Sequence, residues 1–169
     1  MIPFEELPRA SQFMHSAVHT VTPNMSLAEV IDFLLKHKVS NAPVVEASAD
    51  GVKLVGFISE RDCLMVLSNE SFFGNPAPHH TAGSIMRKHP ICVSPETELF
   101  ALASIFVSHD YRHLPVTEQG RLAGIVSRRD VLKAVHEYYA KVTDENRRRS
   151  LVPDPKLVTS HRFVVARSD

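Results

Sequence analysis

Two serine–aspartate pairs, Ser59 with Asp62 and Ser127 with Asp130, have the types and spacing needed to hold a small polar ligand. Each stands in the same setting, GFISERD at 56–62 and GIVSRRD at 124–130. A strand that ends this way and feeds a helix leaves N–H groups pointing outward at the helix start, where anionic ligand atoms are favoured. The serine hydroxyl can donate to a ribose or phosphate oxygen, and the carboxylate can accept from both vicinal hydroxyls of a ribose. S-x-x-D is equally a capping box, with the serine accepting from first-turn amides and the acid reaching back. The two uses do not exclude one another. The cations differ between the copies: Arg128 and Arg129, with Arg112 and His113 nearby, against Arg61 beside Glu60. Guanidinium groups suit phosphate through their fixed fork of donors, which ranks the second copy first for a phosphorylated ligand. Solvated surface charge is the alternative role for these arginines.

The elements that must position these pairs are themselves repeated. Val21-Thr22-Pro23 returns as Val93-Ser94-Pro95, 26–35 falls on 98–107, and 41–45 falls on 113–117, all 72 positions on. The offset drops to 68 at the serine–aspartate motif, as a shorter polar connection between two strands allows. Each unit reads as a short strand ending at proline, then a helix. Leu27, Val30, Ile31 and Leu34 form the apolar stripe in one copy, and Leu99, Leu102, Ala103 and Phe106 in the other. Ser26 with Glu29 makes a capping box, which Glu98 matches poorly. Two strands follow, joined by turns at Asp50-Gly51 and Gln119-Gly120, and then a last helix. The order β-α-β-β-α, twice, predicts an α/β (α+β) fold of two packed repeats. The predicted bounds are 11–68 for the first repeat, 69–90 for the connection, 91–141 for the second repeat and 142–169 for a charged, proline-containing tail. A unit of this size buries too little surface to stand comfortably alone.

Composition narrows the partners. Lys plus Arg equals Asp plus Glu at 19 each in 169 residues, which argues against bulk nucleic-acid binding. No apolar run approaches the roughly 18 residues of a membrane span, and the start of the chain lacks a signal-peptide pattern. Cys63 and Cys92 lie outside any C-x-x-C, so a reducing, cytoplasmic setting is expected. Histidines occur at i, i+4 in His15/His19 and His109/His113, but no cysteine joins them, and no metal site is expected. Phosphate-loop, dinucleotide and nucleophile-elbow motifs are absent from the sequence.

The VTP and VSP openings, the NAPVV and RHLPVT strands, GFISERD and GIVSRRD, and the stretch SIMRKHPICVSP together resemble a tandem pair of cystathionine β-synthase-type (CBS) domains over about residues 11–140. The resemblance implies a non-enzymatic regulatory module that requires no cofactor. It also implies a homodimer and an adenosine-containing ligand (AMP, ADP, ATP or S-adenosylmethionine) between the repeats, with its bound state passed to a regulated protein. By the resemblance, Asp62 and Asp130 hold ribose, and Ser59 and Ser127 contact ribose or phosphate. His19 and Thr20, or Ile91 and Cys92, line the base. The backbone around Asn41, Ala42 and Pro43, or around His113, Leu114 and Pro115, reads its edge. Two other readings stay open: a ligand-free structural or dimerisation module whose motifs are only caps, and an enzyme acting on nucleotides.

Overall fold

The computed structural model describes residues 7–49, 51–73 and 80–151. Asp50 of the first predicted turn, His79 and most of the tail, including the apolar run at 162–166, lie outside the described residues. The elements in chain order are α1 (Ala10–Phe13), α2 (Leu27–His37), β1 (Asn41–Ser48), β2 (Gly51–Ser59), α3 (Glu60–Phe73), α4 (Ala82–Ile85), β3 (Arg87–Lys88), α5 (Leu99–Ser108), β4 (His113–Glu118), β5 (Arg121–Ser127) and α6 (Arg128–Leu151).

Each repeat builds a helix, an antiparallel hairpin and a second helix. In β1–β2 the register runs from Asn41 opposite Ser59 to Ser48 opposite Gly51; in β4–β5 it runs from His113 opposite Ser127 to Glu118 opposite Arg121. Gln119 (φ 52°) and Gly120 (φ 78°) both take the left-handed conformation required by a two-residue turn. The two hairpins join into one sheet in the order β1-β2-β5-β4, meeting where Lys53 faces Arg121. The predicted opening strands shrink to single parallel bridges, Val21 to Val44 and Val93 to Val116. Pro23 and Pro95 follow closely and bring no N–H that could extend a ladder.

The apolar stripes pack as the spacing predicts. Val30 and Leu34 sit in one core with Val21, Val44 and Ile58; Leu99, Leu102 and Phe106 sit in the other with Val93, Val116 and Val126. Two short helices cross between the repeats. Ala10 of α1 is buried in the second core, and Ala82 of α4, its repeat equivalent, is buried in the first. The same crossing closes helix starts: the Leu99 amide donates to the Pro8 carbonyl at 2.8 Å, and the Leu27 amide to the His80 carbonyl at 2.9 Å. The helix without a good side-chain cap, α5, therefore has one first-turn donor satisfied by a segment the repeat pattern leaves out.

Ser26 does cap α2: its Oγ accepts from the Glu29 amide at 3.3 Å, and Glu29 Oε2 accepts from the Ser26 amide at 2.7 Å. Ser26→Ala is expected to cost about 1 kcal/mol and to lower the melting temperature by roughly 3 °C, read by a circular-dichroism melt.

The last helix runs past the predicted end of the second repeat. The predicted tail begins at 142, but α6 continues to Leu151. Residues 142–151 contain no glycine or proline and include three arginines, a glutamate and a leucine that favour helix, and the extension carries an i, i+4 pair between Asp144 Oδ2 and Arg148 Nη2 at 2.7 Å. High charge here reflects a solvated helix rather than an irregular tail.

Candidate functional site

The two motifs fold as strand-to-helix corners with the same internal bonds. Asp62 Oδ2 accepts from the Ser59 amide at 2.9 Å and from Ser59 Oγ at 2.6 Å; the Asp62 amide donates back to Ser59 Oγ at 3.3 Å. In the second copy the matching distances are 2.8, 2.5 and 3.2 Å. The capping box is real in both, and it uses one carboxylate oxygen of each aspartate. What distinguishes the copies is the other oxygen. Asp62 Oδ1 lies 3.5 Å from Arg87 Nε, whereas Asp130 Oδ1 lies 3.0 Å from His15 Nε2. Arg87 and His15 are repeat equivalents, delivered to the two corners by the two equivalent crossing segments.

Asp62 is 5% exposed, and its charge forms one wall of a cleft of about 450 Å³ between the repeats, within the range of small-molecule sites. Ser40, Asn41, Phe57 and the Ser59–Asp62 corner line it from the first repeat. The connection supplies Arg87 through Pro90, and the second repeat supplies Ile91, Asp110 through His113 and Pro115. Apolar surface and cations thus face one buried carboxylate. At the junction, Asn41 Nδ2 lies 2.6 Å from His113 Nδ1. Burial, reinforced by the charges of Arg112, Arg128 and His15, holds the His113 pKa below its usual value despite the opposing pull of Asp130. The neutral ring can therefore accept a hydrogen bond from the Asn41 amide through Nδ1.

Of the residues singled out from sequence, Asn41, Ser59, Arg61, Asp62, Ile91, Arg112, His113 and Pro115 come together in this cleft. Ala42, Pro43 and Leu114 are buried beneath it in the cores. Cys92 lines a neighbouring hollow with Lys88, Pro90 and Thr117, and its Sγ donates to the Pro90 carbonyl at 3.2 Å. His19 is exposed and stacks on His37, their ring centroids 4.1 Å apart, while Thr20 is half-buried. Ser127 and Asp130 form the second corner. Arg129 is exposed, and Arg128 braces a turn: its Nε donates to the Tyr111 carbonyl at 2.6 Å and its Nη2 to Asp110 Oδ1 at 3.0 Å.

Asp130 is pulled two ways. Burial raises its pKa, but the Ser127 bonds and His15 together outweigh that and leave it below the usual carboxylate range. Burial, and then the Asp62 charge, push the Cys63 thiol up, which suits its place as a small apolar side chain in the core.

Arg87, Lys88, His89, Asp110 and Tyr111 line the cleft and were not singled out from the sequence. A signal for Arg87 was present. The repeat extends upstream of the VTP opening, so that residues 12–23 fall on 84–95, with Met14 on Met86 and His15 on Arg87.

Comparison with known proteins bears on this geometry. The CBS domain family matches residues 10–69 and 82–137. CBSX2 of Arabidopsis thaliana, solved in complex with AMP, shares the fold with a TM-score of 0.67 at 27% identity, over 78% of this chain and 98% of CBSX2. A 17.7 kDa protein of Acidianus ambivalens is 30% identical over 128 residues, covering 75% of this chain and 73% of that protein. An inosine-5′-monophosphate dehydrogenase of Korarchaeum cryptofilum is 32% identical over 142 residues, which is 83% of this chain but 27% of the dehydrogenase. With two matched segments, two equivalent corners and a shared architecture, the chain belongs to the CBS domain family as a tandem pair of repeats.

Proposed function

We propose that the pair is a regulatory module that binds an adenosine-containing ligand in the cleft beside Asp62 and passes its bound state to a partner protein as a change of shape. The observation that carries this reading is the cleft itself. A buried carboxylate suited to ribose hydroxyls, a run of cations suited to phosphate and an apolar wall suited to a base face one space lined by both repeats. A ligand there touches the first repeat, the connection and the second repeat at once. It therefore shifts their arrangement by its differential affinity for the two shapes. Likeness to a CBS pair solved with AMP supports the ligand class.

The role is binding rather than catalysis. Each aspartate is engaged by its own helix cap, and the Cys63 thiol is pushed away from the nucleophilic form. The cysteines are free, which supports a reducing, cytoplasmic setting. Among the described residues no helix is long and apolar enough to cross a membrane. Exposed apolar residues recur at equivalent positions, Leu35 with Val107 and Leu64 with Leu132, which supports assembly as a homodimer.

Thermal-shift measurements with AMP, ADP, ATP and S-adenosylmethionine test the reading. A true ligand at about a hundredfold over its Kd should stabilise the fold by about 2.7 kcal/mol and raise the melting temperature by roughly 5–10 °C. Silence from all four would leave the corners as helix caps and the pair as a structural module, while turnover of ATP on incubation would make it an enzyme.

A further inference from the structure

We infer that the two corners of the pair are unequal: the chain takes one ligand, beside Asp62, and His15 acts as a built-in substitute for ligand at Asp130. This rests on the adenosine-ligand reading and goes beyond it by assigning stoichiometry and the residue that sets it.

Three independent differences between equivalent positions converge. First, both oxygens of Asp130 are engaged, Oδ2 by Ser127 and Oδ1 by the His15 ring at 3.0 Å. The His15 backbone is fixed there, its amide and carbonyl bonded to Ile125 at 2.9 and 3.0 Å. At Asp62 the equivalent Arg87 reaches Oδ1 only through Nε at 3.5 Å. A guanidinium displaced from Asp62 by ribose remains in the cleft with donors for phosphate; an imidazole in that position offers at most a single further N–H.

Second, Arg128 serves the other copy's cleft. Its bonds to Asp110 and Tyr111 hold the turn whose residues wall the Asp62 cleft. The equivalent of Arg128 is Glu60, which makes no ion pair among the described residues, and its amide alone reaches back to the Ser40 carbonyl at 2.9 Å. Third, Ile91 lies open to the Asp62 cleft, while its equivalent His19 is stacked against His37 and Phe33, with ring centroids 4.1 and 6.3 Å away. At the second corner the chain's own His15 thus holds the carboxylate that would take ribose, and the residue equivalent to Ile91 packs on α2 instead.

Isothermal titration of the full chain with AMP decides the matter. The expected result is one AMP per chain, with affinity unchanged within about twofold in Asp130→Asn, which keeps the shape of the cap. In His15→Ala the stoichiometry should rise toward two. Two AMP per chain in the wild type, a tenfold loss in Asp130→Asn, or a stoichiometry fixed at one in His15→Ala would each overturn the inference while leaving the adenosine reading intact. No heat and no thermal shift with AMP, ADP, ATP or S-adenosylmethionine would overturn that reading, and this inference with it. A melting temperature for His15→Ala matching the wild type ties the stoichiometric change to the side chain.

Discussion

Replacing Asp62 with alanine is expected to weaken AMP binding by roughly ten- to a hundredfold, the largest loss of any single side chain in the cleft. The size follows from the group's position. Asp62 is 5% exposed and lines the cleft, and among the described residues its Oδ1 has no closer side-chain partner than Arg87 Nε at 3.5 Å. Bonds from ribose hydroxyls to a buried carboxylate are charge-assisted, worth about 1.5–3 kcal/mol, and the same loss leaves ligand hydroxyls without acceptors. Asp62 also caps α3 through Ser59, so the alanine variant should lose about 1 kcal/mol of stability whether or not ligand is present. Asp62→Asn separates the two effects. An amide keeps one acceptor for Ser59 and much of the cap but loses the charge, so affinity should still fall at least tenfold while the melting temperature moves little. Titration calorimetry and a melt on the same preparations read both. Wild-type affinity in Asp62→Asn would remove the carboxylate from the binding account and leave it as a cap.

The features legible in the sequence were those written into one repeat at a time. The stripe Leu27, Val30, Ile31 and Leu34 packs as its spacing requires, Ser26 caps α2, and the serine–aspartate corners form with the bonds their spacing implies. The features that were harder to read depend on one repeat meeting the other. Arginine count ranks the second corner first, yet Arg128 bonds to Asp110 and Tyr111 and so strengthens the cleft at the first corner. Side-chain direction, which a residue count cannot supply, is why the proposal favours the first corner. Arg87 and His15 arrive on segments whose neighbours Ala82 and Ala10 are buried in the core of one repeat while the chain leads on into the other. Periodicity reports a helix face within one unit; it carries no information about an exchange of segments between two. Leu64 and Leu132 show the converse limit, being apolar residues of the last helices that remain exposed at 63% and 70%.

The glycine that opens each motif is the second position where a large effect is expected. Neither Gly56 nor Gly124 has a positive φ, so backbone conformation does not demand glycine there. Close approach does. A Cβ on Gly124 would lie 2.9 Å from the His15 carbonyl oxygen and 2.8 Å from Met14 Sδ; on Gly56 it would collide with Met86 Sδ and lie 3.1 Å from the Arg87 carbonyl oxygen. The methionine ends can swing aside. The His15 backbone is less free, because its amide and carbonyl both bond to Ile125, beside Gly124. Gly124→Val therefore sets a branched side chain against a backbone that can retreat only by giving up those bonds. The expected cost is about 2–4 kcal/mol, a fall of roughly 5–15 °C in melting temperature. Gly120→Ala provides the contrast. Gly120 is left-handed at φ 78° with nothing within 4 Å of an added methyl, so only the conformational penalty of about 1–2 kcal/mol applies. If crossing of the segment is what the motif glycine permits, Gly124→Val must be the more damaging of the two. It should also release His15 from Asp130, since the ring is carried on the displaced backbone. A Gly124→Val protein melting within about 2 °C of wild type would show that the crossing segment yields freely, and the glycine of the motif would then need another explanation.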